Sequence, residues 1–384
     1  MKILFCNYEY PPLGGGGGVV NAFLARELAK RHQVTVLTSQ GLGLPAESVS
    51  HGVRILRVPV YFRRQEAVAN LLSMLMFLPS GILAGRHLVA HESFDLINTH
   101  FVLPSGPVGD KLSRQACIPH ILSLHGGDLY DPSKRMSPHR HWLLKVWIRR
   151  MLIQADQVVG QSKNTIDNLH RYYNPEIRAI LIPLGIPEPR IPVAERETYG
   201  FSRREVLLIT IGRLVPRKAI SQLIELMHLF KGQPVRLLIV GSGPQEAHLR
   251  GLCERLKVAD QVVFCGFVDE EEKYRLLSIS DVYVSSSQHE GFGLVFLEAM
   301  ACGLPILCYD RGGQTDFLIH GQSGFLVKLN DWVGFSNQCQ RLISDRFLRQ
   351  EIGARNRQEV KRYFIERCAE RYEELFQQVL EQKE

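Results

Sequence analysis

The sequence predicts an α/β protein built from two doubly wound parallel-sheet domains. The first observation is length, because a chain of 384 residues exceeds what one hydrophobic core usually supports. The second is an alternation of short apolar segments with helical segments, which is typical of parallel sheets covered by helices. The third is that this alternation stops at a proline-rich stretch and then begins again, which indicates two domains.

The first half of the chain alternates predicted strands with predicted helices. Residues 14–18 are consecutive glycines and predict a loop, and residues 19–30 have helical periodicity. The predicted strands are short and rich in Val, Ile and Leu, which favours burial on both faces of a sheet. They are residues 2–7, 33–38, 53–58, 95–99, 120–124, 158–161 and 179–182.

A stretch without periodicity separates the two predicted domains and contains Pro183, Pro187, Pro189 and Pro192, as expected of a linker. Predicted strands then resume at residues 206–211, 235–240, 262–265, 282–285, 305–308 and 324–327, and the segment 345–384 is charged and helical. We therefore expect a first domain over residues 1–185 and a second over residues 186–365. We expect a helix over residues 366–384 to pack back on the first domain.

Composition narrows the class of protein. The net charge of +7 favours anionic partners, but no nucleic-acid recognition module is found, so no nucleic-acid partner is expected. Eight cysteines without C-x-x-C pairs indicate buried free thiols in a reducing compartment. The strand pattern begins at residue 2 with no preceding signal-peptide pattern, so we expect a cytoplasmic protein.

The segment 289–327 is the most informative part of the chain. Glu290 and Glu298 stand eight positions apart, and the turn Gly291-Phe292-Gly293 between them leads into a predicted helix. The first N–H groups of a helix are free and lie at its positive dipole end, so this turn suits an anion. The two carboxylates can accept hydrogen bonds from hydroxyl groups. The combination predicts a site for a sugar joined to a phosphate.

This segment resembles the E-x7-E signature of the retaining glycosyltransferases of family 4 (GT4), which have the GT-B fold. The resemblance includes both carboxylates, the Gly-Phe-Gly core, the helix Leu-Glu-Ala-Met-Ala at 297–301 and the Gly-Leu-Pro at 303–305. It extends over nearly the whole chain. It implies a GT-B fold of two Rossmann-like domains that face a central cleft.

The resemblance also implies roles for residues of this segment. Glu298 would bind the ribose hydroxyls of a nucleotide, and Glu290 would bind hydroxyls of the donor sugar. The backbone N–H groups of Phe292, Gly293 and Leu294 would support the sugar and the phosphate.

A basic segment follows the strand predicted at residues 206–211. Gly212-Arg213-Leu214-Val215-Pro216-Arg217-Lys218 is similar to the G-R-L-x-x-x-K segment of the family, although Ala219 stands where the family has Gly. The guanidinium of Arg213 and the ammonium of Lys218 suit the oxygens of a diphosphate, and their charges would stabilise it as a leaving group without a metal. We also expect Gly212, Gly243 and Phe267 at the donor site, since each follows a predicted strand.

Two segments of the first half also resemble family motifs. The glycine run after Pro11-Pro12 resembles a Pro-Pro-x-x-Gly-Gly loop, which implies that Gly15 and Gly16 face the donor phosphate and the acceptor. The segment from His125 to Asp128 resembles a His-Gly-x-Asp motif. It implies that His125 borders the donor sugar and that Asp128 orients it or positions the acceptor. The role of His100, functional or structural, stays open at this point.

The resemblance predicts a retaining, metal-independent hexosyltransferase that moves a sugar from a nucleotide diphosphate sugar to an acceptor hydroxyl. Its catalytic candidates are His125, Glu290, Arg213 and Lys218. The nucleotide sugar is a co-substrate, and we expect no cofactor. By analogy with the family, the setting would be surface polysaccharide, lipopolysaccharide or glycolipid synthesis. Three alternatives stay open: a nucleotide-sugar epimerase on the same scaffold, a phosphorylase that carries pyridoxal phosphate, and a non-catalytic sugar-nucleotide binding protein.

The expected acceptor is a saccharide or a lipid-linked molecule. Residues 62–64, Phe-Arg-Arg, and the Leu- and Met-rich stretch 67–83 have two interpretations. They form either an amphipathic surface for an anionic membrane or a core helix beside an exposed basic loop. The first interpretation would place the protein at the inner face of the membrane.

Overall fold

A computed structural model describes residues 1–63, 70–134 and 136–383, and these residues fold into two compact units. The first unit comprises Met1–Pro187 together with Tyr363–Glu384, and the second comprises Glu188–Arg362. The chain therefore leaves the first unit, builds the second and then returns. A backbone bridge between Ile186 and Phe364 joins the two ends of the first unit where this return occurs.

The first unit contains an eight-stranded sheet with the order β3-β4-β2-β1-β5-β6-β7-β8, in which only the β3–β4 pair is antiparallel among the described strands. Its strands are β1 (Lys2–Cys6), β2 (Gln33–Gln40), β3 (Glu47–Ser50), β4 (Val53–Pro59), β5 (Leu96–His100), β6 (His120–Leu124), β7 (Gln157–Gly160) and β8 (Ala179–Leu181). Its helices are α1 (Gly16–Leu28), α2 (Leu71–His91), α3 (Gly106–Ala116), α4 (Trp142–Gln154), α5 (Lys163–Tyr172) and α12 (Ile365–Glu381).

Helices cover both faces of this sheet. Alternate residues of each strand point to opposite faces, so one strand contributes to two separate clusters. Ile3 and Phe5 of β1 pack in a buried cluster with α1 and α12. Leu4 and Cys6, on the other face, pack in a cluster with α2 and α3. Cover on both faces explains why the central strands β5 and β6 are buried at every position.

The helix α2 is long and apolar enough to cross a membrane by length and composition alone. Its buried positions, which include Phe77, Gly81 and Gly85, recur at helical spacing and face α3. A Cβ at Gly85 would lie 2.5 Å from Leu112 of α3, so glycine permits close approach of the two helices. This stripe is typical of a helix that packs on its own domain. Half-buried residues such as Met74 and Ile82 pack beside it, whereas Leu71, Leu72, Leu75 and Leu83 are exposed.

The second unit contains a six-stranded parallel sheet with the order β11-β10-β9-β12-β13-β14. Its strands are β9 (Val206–Ile211), β10 (Val235–Val240), β11 (Val262–Gly266), β12 (Val282–Ser285), β13 (Ile306–Tyr309) and β14 (Gly324–Val327). Its helices are α6 (Ile220–Leu229), α7 (Glu246–Leu256), α8 (Glu270–Ile279), α9 (Leu294–Ala301), α10 (Trp332–Ser344) and α11 (Arg346–Glu359). The cluster around Leu237 and Ile239 forms its core.

The structure differs from the sequence prediction at two local features, the start of α1 and the strand β3. The predicted loop at residues 14–18 ends sooner, because α1 begins at Gly16 and glycines form its first turn. The short edge strand β3 was not predicted, since its residues alternate between half-buried and exposed and include few apolar side chains. The tail predicted to be helical consists of α11 and α12, which a 3-10 turn at Val360–Tyr363 separates. The eight cysteines are free, and six of them are buried, while Cys117 is exposed.

Candidate active site

The turn between β12 and α9 in the second unit ends at a helix start with free backbone donors. Residues 286–293 lead from β12 to Leu294, the first residue of α9. Gly293 has a φ of 94°, and a Cβ there would lie 2.5 Å from the Phe296 ring, so this turn requires glycine. Glycine has no side chain that could cap the helix. The first N–H groups of α9 therefore suit an oxygen anion.

Glu290 lies in this turn, where it is buried and held by two cations of the same unit. Lys218 Nζ donates to Glu290 Oε1, and Arg217 Nη1 lies 3.2 Å from Glu290 Oε2. Burial by itself would raise the pKa of Glu290, but Lys218 and Arg217 outweigh burial and lower this pKa to about 2. At neutral pH the carboxylate is ionised, so Glu290 is an acceptor of hydrogen bonds and a poor general base.

Lys218 is positioned by a 3-10 turn that follows β9. The turn Pro216–Lys218 ends at Ala219, whose φ of 47° is left-handed. Ser286 Oγ donates to the carbonyl oxygens of Lys218 and Ala219 at 3.0 and 2.9 Å, which ties this turn to the β12–α9 turn. Left-handed backbone favours glycine, which explains the glycine at this position in the family and makes Ala219 a mildly strained substitute.

Arg213 and the predicted glycines lie on the loops that follow β9 and β10. The Arg213 side chain is exposed and makes no hydrogen bond or ion pair within the described part of the chain, so its guanidinium is open to a ligand. A Cβ at Gly212 would lie 3.1 Å from Lys218 Cε. A Cβ at Gly243 would lie 2.5 Å from the carbonyl oxygen of Leu214. Both glycines therefore allow close packing around the basic segment.

Glu298 lies on α9 and is buried against a lysine that the sequence analysis did not single out. Lys273 Nζ of α8 lies 2.9 Å from Glu298 Oε1 and 3.1 Å from Glu270 Oε1. Glu298 Oε2 is buried without a hydrogen-bond partner among the described residues, so one oxygen of this carboxylate is an unsatisfied acceptor. Burial raises the pKa of Glu298, and Lys273 opposes this shift only in part.

The two predicted aromatic residues of the second unit differ in exposure. Phe267 follows β11 and is 85% exposed, so its ring is free to stack on a ligand. Phe292 is buried, and its ring centre lies 5.1 Å from that of Phe317. The Phe292 side chain therefore belongs to the core, and only its backbone can contact a ligand.

In the first unit, Gly15 and Gly16 lie at the N-terminal end of α1. Gly15 caps the helix, and its N–H donates to Glu9 Oε2 at 3.2 Å. A Cβ at Gly15 would meet no atom within 4 Å, so the space beside it is open. The first turn of α1 contains no acidic residue of its own, and the Glu9 carboxylate lies at its positive dipole end.

His125 is buried in the first unit and is hydrogen-bonded to a second histidine. Ser123 Oγ donates to Asn98 Oδ1, which directs the Asn98 amide nitrogen to His100 Nε2 at 3.0 Å. An amide nitrogen only donates, so His100 carries its proton on Nδ1 and donates to His125 Nε2, 2.9 Å away. Burial lowers the pKa of His125 to about 3, opposed in part by Gln161. His125 is therefore a neutral ring protonated on Nδ1.

Asp128 bonds to backbone rather than to the imidazole of His125. Its carboxylate accepts from the N–H of Val102 at 2.8 Å and from the N–H of His125 at 3.0 Å. Burial raises the pKa of Asp128 to about 6, and these backbone hydrogen bonds oppose the shift. Asp128 thus fixes the loops after β5 and β6, and it acts on His125 through the main chain.

The structure joins two pairs of predicted site residues directly: Lys218 with Glu290, and His125 with Asp128. It adds Arg217 as a partner of Glu290 and Lys273 as a partner of Glu298. Arg217 directly precedes Lys218 in the segment 212–218, and this adjacency is the sequence signal that indicates its position. Lys273 follows three glutamates on an apparently solvated helix, and nothing in that pattern distinguishes it from a surface lysine.

Comparison with known proteins identifies the family of the chain. The family described as "Glycosyl transferases group 1" matches residues 194–359, and the "Glycosyl transferase 4-like domain" matches residues 15–185. The protein is a nucleotide-sugar glycosyltransferase with the GT-B fold. More particularly, the chain belongs to the group 1 glycosyltransferases of the GT4 type. Both the family and the fold class predicted from the sequence are confirmed.

Relatives and solved structures match along nearly the whole chain. The chain is 30% identical to the N-acetyl-alpha-D-glucosaminyl L-malate synthase of Bacillus anthracis, over 97% of this chain and 96% of that protein. Sucrose-phosphate synthase from Thermosynechococcus elongatus has a TM-score of 0.86 and 25% identity, over 99% of both chains. Anabaena HepE in complex with UDP has a TM-score of 0.79 and 19% identity, over 98% of this chain and 100% of that one, which shows the fold alone.

Proposed function

We propose that the protein is a retaining, metal-independent hexosyltransferase that uses a nucleotide diphosphate sugar and an acceptor hydroxyl. The observation behind this proposal is the group formed by Glu290, Lys218 and Arg217 beside the free N–H groups of α9. Lys218, Arg213 and those N–H groups would neutralise the departing diphosphate, so no metal is needed for that task. Glu290 would accept hydrogen bonds from the sugar, and Glu298 Oε2 from the ribose.

Retention is proposed to follow a front-face route in which the leaving phosphate accepts the proton of the acceptor hydroxyl. The acid–base character of the candidate side chains supports this route. Glu290 has a pKa of about 2 and His125 a pKa of about 3, so neither takes up a proton readily at neutral pH. His125 would instead donate a hydrogen bond from Nδ1.

The setting and partners are also proposals. Relatives of the chain include a GDP-mannose-dependent mannosyltransferase that acts on a phosphatidylinositol monomannoside, from Mycolicibacterium smegmatis. We propose a saccharide or lipid-linked acceptor and a role in surface polysaccharide, lipopolysaccharide or glycolipid synthesis. A cytoplasmic location is proposed from the free cysteines, six of which are buried. The comparisons lend no support to an epimerase or a non-catalytic binding protein.

The first experiment identifies the donor and then the stereochemistry. A thermal-shift screen against UDP-, GDP- and ADP-sugars should give a rise in Tm with one nucleotide class, because a ligand bound only by the folded state stabilises it. Incubation of that donor with saccharide acceptors, followed by NMR of the product, should give the anomeric configuration of the donor. An inverted product would refute retention, and an isomerised nucleotide sugar formed without acceptor would indicate an epimerase.

The second experiment tests the site. Lys218→Met and Glu290→Gln should each lower kcat by about 100-fold or more, as removal of charge stabilisation does in other enzymes. Lys231→Met is the matched control, since Lys231 is exposed in the same unit and should leave kcat unchanged. Near-normal transfer by folded Lys218→Met and Glu290→Gln proteins would refute the assignment.

A further inference from the structure

The helix α4 of the first unit exposes large apolar side chains to solvent. Trp142 is 72% exposed, Leu143 63%, Val146 61% and Ile153 59%. The opposite side of the same helix is buried in the core, with Ile148, Met151 and Leu152 packed beneath it. A single exposed apolar residue is ordinary, but four on one short helix are a patch of the kind found at interaction sites.

Cations lie among these apolar side chains. A helix turns about 100° per residue, so Trp142, Leu143, Val146, Ile153, Arg149 and Arg150 fall within an arc of about 120°. Arg149 and Arg150 are exposed and form no ion pair within the described residues, and Lys145 lies beside the arc. The helix has no acidic residue. We refer to these six side chains as the α4 face.

The surface continues toward α2, because α3 packs against both α2 and α4. On α2, Leu71, Leu72, Leu75 and Leu83 are exposed, and this helix also lacks an acidic residue. The predicted membrane-binding segment lies partly here, while Arg64 and residues 67–69 fall outside the described residues. The prediction was wrong for Arg63, which is buried over the Tyr8 ring and is not a surface cation. The outer layer of the first unit is therefore apolar and basic over two helices.

We propose that the α4 face docks on the surface of an anionic lipid bilayer, with α4 lying in the plane of the interface. The positive charge of the α4 face favours a bilayer over a second copy of the chain. In a symmetric contact with a second copy, each patch would meet itself, and Arg149 and Arg150 would face their own equivalents. A bilayer surface supplies acidic headgroups for the arginines and an apolar layer for Leu143, Val146 and Ile153, and tryptophan favours that boundary. This inference does not depend on the reaction catalysed.

The test uses the full-length protein without donor or acceptor. Vesicles of phosphatidylglycerol and phosphatidylcholine should carry the protein in flotation at low salt, and pure phosphatidylcholine vesicles should not. High salt should release it, because the electrostatic contribution is screened. Brominated lipids should quench tryptophan fluorescence on binding, and Trp142→Phe should remove most of that quenching, since Trp147 and Trp332 pack against the cores.

Two double variants locate the surface. Arg149→Gln/Arg150→Gln should weaken binding by about 10- to 30-fold, since each cation near an anionic surface contributes about fivefold. Arg346→Gln/Phe347→Ser removes an exposed cation and an exposed apolar side chain from α11 of the second unit, and it should bind like the wild type. The proposal is overturned if vesicles do not bind, if the α4 variants bind normally, or if Trp142→Phe leaves the quenching intact. Dimerisation that Trp142→Phe abolishes would also overturn it.

Discussion

Replacing Lys273 with methionine tests how the second unit keeps Glu298 charged. Lys273 and Glu298 side chains are only 14% and 10% exposed, and their charged atoms lie 2.9 Å apart. Other ionisable groups near Glu298 are Glu270, Tyr274, Tyr283 and Cys302, and none of them supplies a positive charge. Methionine would therefore leave a buried carboxylate without its cation.

Two energies set upper limits on the stability that Lys273→Met loses. An uncompensated buried charge costs about 3–5 kcal/mol. Glu298 can escape by taking up a proton, which costs about 1.4 kcal/mol for each pH unit above its unfolded pKa of about 4.3, or about 4 kcal/mol at pH 7.5. Because the pair retains some exposure, we expect Lys273→Met to lose about 2–3 kcal/mol at pH 7.5.

Protonation of Glu298 also decides the direction in which the stability difference changes with pH. Burial already raises the pKa of Glu298, and loss of Lys273 raises it further. The stability difference between Lys273→Met and the wild type should therefore shrink as the pH falls, because a protonated Glu298 no longer needs a cation. The acid limb of kcat/KM for the donor should move to higher pH, because ribose binding is proposed to use ionised Glu298.

The assay is urea unfolding followed by circular dichroism between pH 5 and 8, beside kinetics over the same range. Lys273→Arg should recover most of the loss, and the exposed Lys231→Met should show none. Adding Glu298→Gln to Lys273→Met should restore stability, since no buried charge remains. A destabilisation that is the same at every pH, or one that Glu298→Gln does not relieve, would show that Lys273 acts by packing alone.

Three further predictions concern pH, packing and metal. Burial lowers the pKa of His125 to about 3, of His120 to about 4, and of His100 as well, so the free energy of unfolding should fall as the pH drops below 6.5. Asp128, whose pKa is raised to about 6, offsets one histidine, so a net slope of about 3 kcal/mol per pH unit near pH 5 is expected, and a flat urea-unfolding profile would contradict it. Gly243→Ala should lower Tm by several degrees and weaken donor binding, because its Cβ would lie 2.5 Å from the carbonyl oxygen of Leu214; unchanged thermal melts would contradict this. Chelation with EDTA should leave transfer unchanged, and a loss restored by added Mg²⁺ would refute metal independence.

The sequence was most informative where hydrophobic pattern and turn chemistry agree. Apolar runs located both parallel sheets, because strands buried on two faces need apolar residues throughout. Gly293 was identifiable since a left-handed turn before a helix favours glycine. The start of α1 was missed because glycine has low intrinsic helix propensity, and only the folded environment makes Gly16 helical.

The partners of buried polar side chains were harder to predict than the secondary structure. Lys273 lies 25 positions from Glu298, and no periodicity within α8 indicates that this lysine is buried. The pairing of His100 with His125 depends on the neighbouring strands β5 and β6, and on Asn98 and Ser123, which orient it. Such pairs require the register between elements, which a single sequence leaves open.

The return of the chain into the first unit has a consequence for biosynthesis. Tyr372 and Phe376 of α12 complete the cluster that contains Ile3 and Phe5, but translation reaches them only after the second unit. At about 5–20 residues per second, the residues of Glu188–Arg362 take the ribosome about 10–35 s. During that interval the nascent sheet lacks its last covering helix, so the unit that is synthesised first is completed last and keeps apolar surface exposed in the meantime.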